Sequence, residues 1–196
     1  MKTKHSAAAL FTVLLLFGLS VRAQSPGNVK HFDKDGLAFD YPDGWTLEDQ
    51  SNGDAQQLNL GRADSDAQIR IFVHRGRVDT PEKMAKAKAA FIDPYIASTN
   101  NIFTQMGAKA ERSPATTQIG GAPAEGVRLR ASLDGDPGEA AIYWVTVGNR
   151  VAVLTFFGPD AALKKATPAW DTVRNSLSVT PPQPKASPAP KPTPKP

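Results

Sequence analysis

The 196-residue sequence contains no cysteine. Its absence excludes disulfide bonds, a thiol nucleophile and a lipid-modified cysteine near the N-terminus. Exported domains often depend on disulfides for stability, so this chain, if exported, must be stabilised by its hydrophobic core alone. A body of about 155 residues is long enough to bury roughly 70% of its unfolded surface, which favours one domain.

Catalytic signatures are also absent from the sequence. Only three histidines occur, and His31 and His74 are the two outside the N-terminal segment. No serine lies in a Gly-x-Ser-x-Gly elbow, and Gly120-Gly121 lacks the Lys and Ser or Thr that follow in a phosphate-binding loop. The acidic residues are spread over predicted turns, so no carboxylate pair for hydrolysis is identified. We therefore expect a protein that is not an enzyme and has no cofactor.

The first 23 residues have the pattern of a signal peptide. Lys2 and Lys4 give a positive start, Ala7 to Leu19 is mostly apolar, and the small residues Val21 and Ala23 occupy the positions that signal peptidase reads. We expect cleavage after Ala23 and a secreted or periplasmic location. The apolar run is shorter than the roughly 20 residues of a membrane span, so no transmembrane segment is expected after cleavage; a retained N-terminal anchor is the alternative.

The net charge of +4 depends on the two ends of the chain. Six of the 23 basic residues lie before residue 24 or after residue 180, whereas all 19 acidic residues lie between them. The body is therefore slightly acidic, and it contains no basic run interleaved with aromatic residues. Nucleic acid is not an expected partner.

Residues 181–196, PPQPKASPAPKPTPKP, include eight prolines and three lysines. This composition cannot form a core and favours a disordered, extended conformation of the polyproline type. The segment is either a passive solvated tail or a stiff cationic spacer that touches anionic envelope surfaces weakly, at about 1 kcal/mol per lysine. The sequence thus predicts a signal peptide at 1–23, a domain at 24–180 and a disordered Pro/Lys-rich tail at 181–196.

The first part of the domain has the two-residue period of β-strands. Val29 to Phe32 and Leu37 to Tyr41 predict a hairpin across a turn that ends at Gly36. Alternating apolar residues between 58 and 73 predict a second hairpin. The corner between the two hairpins contains Pro and Gly, and we expect it to turn Trp45 into the core.

Helical signals begin near residue 80. Thr80 is a suitable N-cap, Pro81 suits the first turn, and apolar residues then recur at spacings of three and four. Pro94 predicts a kink or restart of the helix, and Gly107 predicts its end. Together these signals predict a helical arm of about 25 residues.

Strand patterns return after Ser113. Ala141–Val147 and Val151–Phe157 are nearly apolar on both faces, so we expect two central strands that are covered on each side. Thr167 as a cap and Pro168 in the first turn predict a closing helix. A last short strand is expected at Ser178-Val179.

This order of elements predicts an α+β fold with a mostly antiparallel sheet and flanking helices, not a doubly wound parallel sheet. The segments GLAFDYPDGW, IGGAPAEGVRLRA, IYWVTVGNRVAVLTFFGP and AWDTVRNSLSV resemble the PsbP-like and DcrB-like domains, which share a fold with the Ran-binding protein Mog. The resemblance covers nearly all of Phe32 to Val179. It implies an αβα sandwich in an exported, non-enzymatic domain that binds a partner, and it assigns no functional residue, because members of this group do unrelated jobs.

His31, Asp33 and Asp35 are the candidates for a metal site. Their imidazole and carboxylate groups lie close in sequence, and His74 is on a predicted strand of the same sheet, so a site with nitrogen and oxygen ligands is conceivable. The favoured alternative is that the two aspartates serve a polar hairpin turn, because they do not continue into a calcium-loop pattern.

Three hypotheses for function are left open by the sequence. The first is an exported binding or accessory protein of the bacterial-type cell envelope, whose partner is an unknown envelope protein or polymer. The second is a metal-binding protein or metal-dependent hydrolase that uses His31 with Asp33 and Asp35. The third is a structural envelope protein tethered by its Pro-Lys tail. The sequence identifies no ligand.

Overall fold

The computed structural model describes residues 28–180, which form two antiparallel sheets and three α-helices. The predicted signal peptide and the predicted tail lie outside these residues. The strands are β1 (Val29–Lys34), β2 (Leu37–Pro42), β3 (Thr46–Asp49), β4 (Ala55–Arg62), β5 (Ser65–His74), β6 (Glu111–Ile119), β7 (Ala122–Leu133), β8 (Asp136–Val147), β9 (Arg150–Pro159) and β10 (Ser178–Val179). The helices are α1 (Pro81–Ala87), α2 (Asp93–Gln105) and α3 (Asp160–Ser176), and a π-helical turn, Lys88–Ile92, joins α1 to α2.

The smaller sheet has three strands in the order β1-β2-β10. Its hairpin, predicted from the sequence, turns at Asp35 and Gly36, which have φ angles of 51° and 78°. Gly36 is required there for a second reason, because a Cβ atom would lie 2.9 Å from the carbonyl oxygen of Thr180. The last strand of the chain is thereby held against the first hairpin.

The corner before Trp45 moves the chain from the small sheet to the large one. Gly44 adopts a φ of 82°, and the Trp45 N–H donates to the Pro42 carbonyl over 3.3 Å. Trp45 is buried in the main core, as the sequence predicted. Because of this corner β3 pairs with β4 instead of continuing the first hairpin.

The larger sheet has seven strands in the order β3-β4-β5-β9-β8-β7-β6. All of its neighbouring pairs are antiparallel. The two nearly apolar strands, β8 and β9, lie at its centre, which confirms the prediction that they are covered on both faces. The fold is therefore α+β with a mostly antiparallel sheet, as the order of elements predicted.

One face of the large sheet, here called the closed face, packs against α3 and the small sheet. Trp170 of α3 stacks on Phe156, with ring centroids 5.3 Å apart, and on Tyr143 at 5.9 Å. Aliphatic side chains of β4 and β5 continue the same core to its other end: Leu58, Leu60, Ile69, Ile71 and Val73.

The closing helix begins earlier than the sequence predicted. Thr167 and Pro168 do not start it; the helix starts at Asp160, after the extended residue Pro159, and Pro168 lies inside it. The Thr167 hydroxyl donates to the Leu163 carbonyl at 3.0 Å, so it does not cap the helix. A proline is tolerated at this position because the apolar side of α3 is buried on the sheet, which stabilises the helix more than the lost hydrogen bond weakens it.

The other face, here called the arm face, packs against the helical arm, residues 81–105. Thr80 caps α1 as predicted, since its hydroxyl accepts from the Lys83 N–H at 3.3 Å. Ile92 and Ile96 of the arm are buried with Trp144 and other residues of the central strands. The predicted break near Pro94 is observed as the π-helical turn. No helix within residues 28–180 is long and apolar enough to cross a membrane.

Candidate functional site: an open polar groove

The arm covers only part of its face of the large sheet. It packs on the central strands and leaves the side of β4 and β5 next to the sheet edge open. On this face Asn59 of β4 is paired with Arg70 of β5, and Arg70 with Thr155 of β9. Gln57, Phe72 and Val153 form the adjacent row. Alternation along each strand therefore directs one set of mostly polar side chains into this opening.

The opening is a groove of about 490 Å³, bounded by the sheet and by the arm. Small-molecule sites have volumes of roughly 300–1,000 Å³, so the groove has the size of a ligand site. Its lining residues are Gln50, Gln57, Leu58, Asn59, Arg70, Ile71, Phe72, Phe91, Tyr95, Val153 and Thr155.

Two aromatic residues of the arm form the wall of the groove. Phe91 lies in the π-helical turn and packs against Phe72, with ring centroids 5.6 Å apart. Tyr95 follows in α2, and its hydroxyl lies 3.1 Å from the Thr155 hydroxyl, which fixes the ring against the sheet. Single π-helical turns are often found at functional sites, and here the turn presents an aromatic ring to the groove.

The polar side chains of the groove keep their hydrogen-bonding capacity free. Within residues 28–180, the side chains of Gln50, Gln57, Asn59 and Arg70 make no hydrogen bond to protein groups, although all four line the groove. Each carboxamide supplies two donors and an acceptor, and the guanidinium supplies five donors. The groove is therefore a cluster of unpaired polar groups that a ligand can satisfy.

Arg70 gives the groove a positive charge. Its Cζ atom lies 4.5 Å from the centroid of the Phe157 ring, so the guanidinium stacks on an aromatic face. No Asp or Glu of the described residues lies within salt-bridge distance of it, and no acid lines the groove. Glu48, on the same row of the sheet, is two strands away, or about 10 Å by strand spacing.

A second, shallower hollow of about 480 Å³ continues from the groove toward the sheet edge. It shares Asn59 and Arg70 with the groove and is also lined by Thr46, Glu48 and Gln68. The arm face of β3, β4 and β5 is thus one continuous polar surface, with Arg70 at its centre.

The metal-site candidates from the sequence do not come together. The His31 Nδ1 atom lies 2.7 Å from an oxygen of Asp40, on the exposed side of the first hairpin. Asp35 forms a salt bridge with Arg75 at 2.9 Å, and Asp33 lies exposed on the same hairpin. No group of three His, Asp or Glu side chains in the described part of the chain is arranged to hold a metal ion.

His74 is on a different sheet from His31, so the prediction that they share a sheet is wrong. The corner before Trp45 is the physical reason, because it separates the first hairpin from the strands that follow. His74 instead packs against Phe91, with ring centroids 5.1 Å apart. The metal hypothesis is therefore not favoured.

A second polar cluster, on the closed face, joins the two sheets. Arg150 is only 1% exposed and donates to Gln56 Oε1 at 2.6 Å and to the carbonyls of His74 at 3.0 Å and Asp35 at 3.3 Å. Gln56 in turn donates to the Lys34 carbonyl at 2.8 Å. Burial lowers the pKa of the Arg150 guanidinium, with a further contribution from the charge of Arg75. Every contact is internal to the chain, so this cluster has a structural role.

Sequence reasoning missed the groove and its arginine. Gln57, Asn59 and Arg70 alternate with buried aliphatic residues, and this pattern only indicates a strand with one polar face. The signal that distinguishes them is that the neighbouring central strands are apolar on both faces. Where the central strands of a sheet are apolar on both faces but a strand nearer the edge keeps polar residues on one face, the layer that covers the sheet is predicted to stop short of that strand.

The fold is PsbP-like, which confirms the resemblance at the level of fold. The solution structure of cyanobacterial PsbP (CyanoP) from Synechocystis sp. PCC 6803 is similar with a TM-score of 0.52 and 12% sequence identity, over 80% of this chain and 95% of that chain. A crystal structure from Bacteroides thetaiotaomicron VPI-5482 is similar with a TM-score of 0.50 and 14% identity, over 79% of this chain and 49% of that chain. No family model matches the sequence, and no curated protein matches it. At these identities the likeness shows the fold alone.

Proposed function

We propose that this protein is a non-enzymatic binding or accessory protein of the bacterial-type cell envelope, which holds its ligand in the groove beside Arg70. The observation that carries the proposal is the set of free polar side chains around a cavity of ligand size. The hydroxyls of Tyr95 and Thr155 contact each other, and no histidine or carboxylate lines the groove to act as their base. The groove is therefore suited to binding and lacks the parts for general base catalysis.

The envelope location rests on the signal-peptide pattern of residues 1–23 and on the tail, residues 181–196. Fractionation of cells that express the full chain tests it. The protein should appear in the periplasmic or secreted fraction with Gln24 as its first residue. Retention of the complete chain in the cytosol would contradict the location. Deleting 181–196 tests the tail separately, because an unchanged distribution would show that it is no tether.

Thermal melting in the presence of envelope extracts tests the groove. A ligand that binds only the folded protein raises the melting temperature. We expect one fraction of the extract to raise the melting temperature of the wild-type full chain and to raise that of Arg70→Gln much less. In NMR spectra of the wild type, the same fraction should shift the backbone amide signals of β4, β5 and the π-helical turn. Arg112→Gln, an exposed arginine at the opposite edge of the sheet, is the matched control and should behave as the wild type.

Recovery of the bound compound tests whether the protein converts its ligand into a product. Its mass should be the same before and after prolonged incubation with the protein. A compound that is converted at enzyme-like rates would contradict the non-enzymatic proposal. Stabilisation that leaves the groove amides unshifted, or is equal in Arg70→Gln, would contradict the placement of the site.

A further inference from the structure

We infer that the ligand of the groove is an acidic saccharide, meaning a sugar that carries free hydroxyl groups and a carboxylate. The inference rests on the proposed function and adds the chemical class of the ligand. It is carried by the combination of free carboxamides, one free guanidinium and aromatic walls around a single cavity.

The carboxamides match a polyhydroxylated ligand. A sugar hydroxyl both donates and accepts a hydrogen bond, and so does a carboxamide, so each can satisfy the other completely. Gln50, Gln57 and Asn59 present three such groups on one side of the groove. The Tyr95 hydroxyl, which contacts the buried Thr155 hydroxyl, adds one more group of the same kind from the arm.

Arg70 matches a carboxylate. A guanidinium can bind a carboxylate through two parallel N–H groups, which adds both energy and orientation. Arg70 is held by stacking on Phe157, which uses the flat face of the guanidinium and leaves its N–H edge available. No acid lines the groove to compete for that edge.

The aromatic residues match the C–H face of a sugar ring. Phe72 and Phe91 pack against each other at the end of the groove, and both line it. A pyranose has one apolar face, and a rigid ring offers it contact area at little cost in conformational entropy. Polar groups and aromatic rings in one groove thus fit the two kinds of surface that a sugar presents.

Other small ligands fit this set less well. Inorganic phosphate mainly accepts hydrogen bonds and has only one or two P–OH donors near neutral pH, so it matches the carboxamide oxygens less fully than a sugar with several hydroxyls. A zwitterionic amino acid needs an acidic partner for its ammonium group, and the groove has none. A lipid chain would bury the carboxamides without partners, at a cost of about 1–3 kcal/mol for each group.

The second hollow indicates a ligand longer than one sugar. It adjoins the groove at Asn59 and Arg70 and continues along the polar face of β3 and β4. A longer saccharide can place its acidic unit in the groove and turn the hydroxyl groups of the next unit toward Glu48 in this hollow, with Arg70 between the two units. The chemistry is therefore that of a short saccharide segment with a carboxylate beside Arg70.

Titration of the full chain with trigalacturonic acid tests the inference, with amide chemical shifts and calorimetry as readouts. Its methyl ester, which keeps the hydroxyls and removes the charges, and inorganic phosphate are the comparison probes. We expect the acid to bind in the groove, the ester and phosphate to bind about tenfold or more weakly, and Arg70→Gln to lose about tenfold in affinity for the acid only. Asn59→Ala should weaken the acid and the ester equally, whereas Arg112→Gln should change neither.

Each contrary outcome overturns a defined part of the inference. Equal affinity for the acid and the ester would show that Arg70 does not bind a carboxylate of the ligand. Binding of phosphate as tight as that of the acid shows an anion site without sugar recognition. No shift of groove amides with any probe at about 10 mM overturns the saccharide class, and the proposed function then still stands if an envelope fraction stabilises the wild type and not Arg70→Gln.

Discussion

Two glutamine–arginine sets lie on opposite faces of the same sheet, and they have opposite environments. Gln56 and Arg150 are on the closed face, almost completely buried and bonded to each other at 2.6 Å. Gln57 and Arg70 are on the arm face and line the groove, and their side chains make no hydrogen bond to protein groups within the described residues. Gln56 and Gln57 are adjacent in sequence, so the direction of each side chain from the strand determines the difference.

The comparison shows how one residue type serves stability on one face and recognition on the other. On the closed face, no buried side-chain nitrogen or oxygen of the described residues lacks a hydrogen-bond partner. That is expected because an unpaired polar group in a dry core is costly. On the open part of the arm face, water can satisfy the same groups until a ligand replaces it. Changes on the closed face should therefore affect unfolding, and changes on the open face should affect binding.

The largest effect is expected from Trp170→Ala, which empties the centre of the closed face. Trp170 is 7% exposed and stacks on two aromatic rings. Its removal should lower the free energy of unfolding by about 3–5 kcal/mol, measured by urea denaturation. Trp170→Phe, which keeps part of the ring contact, should lose less and remain folded. If Trp170→Phe shifts the amides of the groove more than those beside α3, the two faces are not independent.

The second prediction compares the loss of stability at two neighbouring residues of β4, Leu60 and Asn59, which point to opposite faces of the sheet. Leu60→Ala should cost about 2–5 kcal/mol of unfolding free energy, because Leu60 is 1% exposed in the closed core. Asn59→Ala, one residue earlier on the open face, should change it by less than about 0.5 kcal/mol. The two residues are adjacent on the same strand and point to opposite faces, so the comparison isolates the effect of the face. An Asn59→Ala loss above about 1.5 kcal/mol would show that the open face also carries stability.

The sequence predicted those elements in which local pattern and burial agree. The two central strands could be identified because β8 and β9 are apolar on both faces. The cap at Thr80 and the inward position of Trp45 follow from local turn chemistry in the same way. Even the break in the arm was indicated by Pro94, although not its π-helical form.

The sequence could not predict features that depend on which helices and strands pack against each other in the folded protein. Trp45 follows a corner that divides two sheets, and no local signal shows that His31 and His74 are thereby separated. The start of α3 was placed too late because Thr167-Pro168 is a better local start signal than Asp160. The groove arises because the arm covers fewer strands than the sheet contains, which is a property of the assembled layers.

The third prediction tests the polar cluster at the end of the closed face. Arg150→Ala leaves the Gln56 carboxamide and the carbonyls of His74 and Asp35 without their donor. It should cost about 2–3 kcal/mol of unfolding free energy, since relief of the buried charge offsets part of the loss. Arg70→Ala is the matched change on the open face and should cost less than about 0.5 kcal/mol. Equal losses for the two arginines would remove the distinction between the faces.

The smallest effect concerns the exposed contact between the two sheets. The Lys34 ammonium, helped by hydrogen bonds from Ser51, lowers the pKa of Asp49 from 3.8 to about 2. Its Nζ atom lies 2.7 Å from an Asp49 oxygen and links β1 to β3.

Because the folded pKa lies below the unfolded one, the carboxylate stabilises the protein above pH 4, and this contribution is lost as the pH falls toward 2. The Lys34 side chain is 54% and the Asp49 side chain 25% exposed, so solvent screens the pair, and we expect Asp49→Asn to cost less than about 1 kcal/mol at pH 6. The cost should shrink steadily as the pH falls from 4 through 2, measured as the difference in urea midpoint between wild type and variant. Lys34→Met should reduce the same pH dependence, because it removes the main cause of the lowered pKa. A difference between wild type and Asp49→Asn that stays constant from pH 6 to pH 2 would show that the charge of Asp49 does not help to hold β1 against β3.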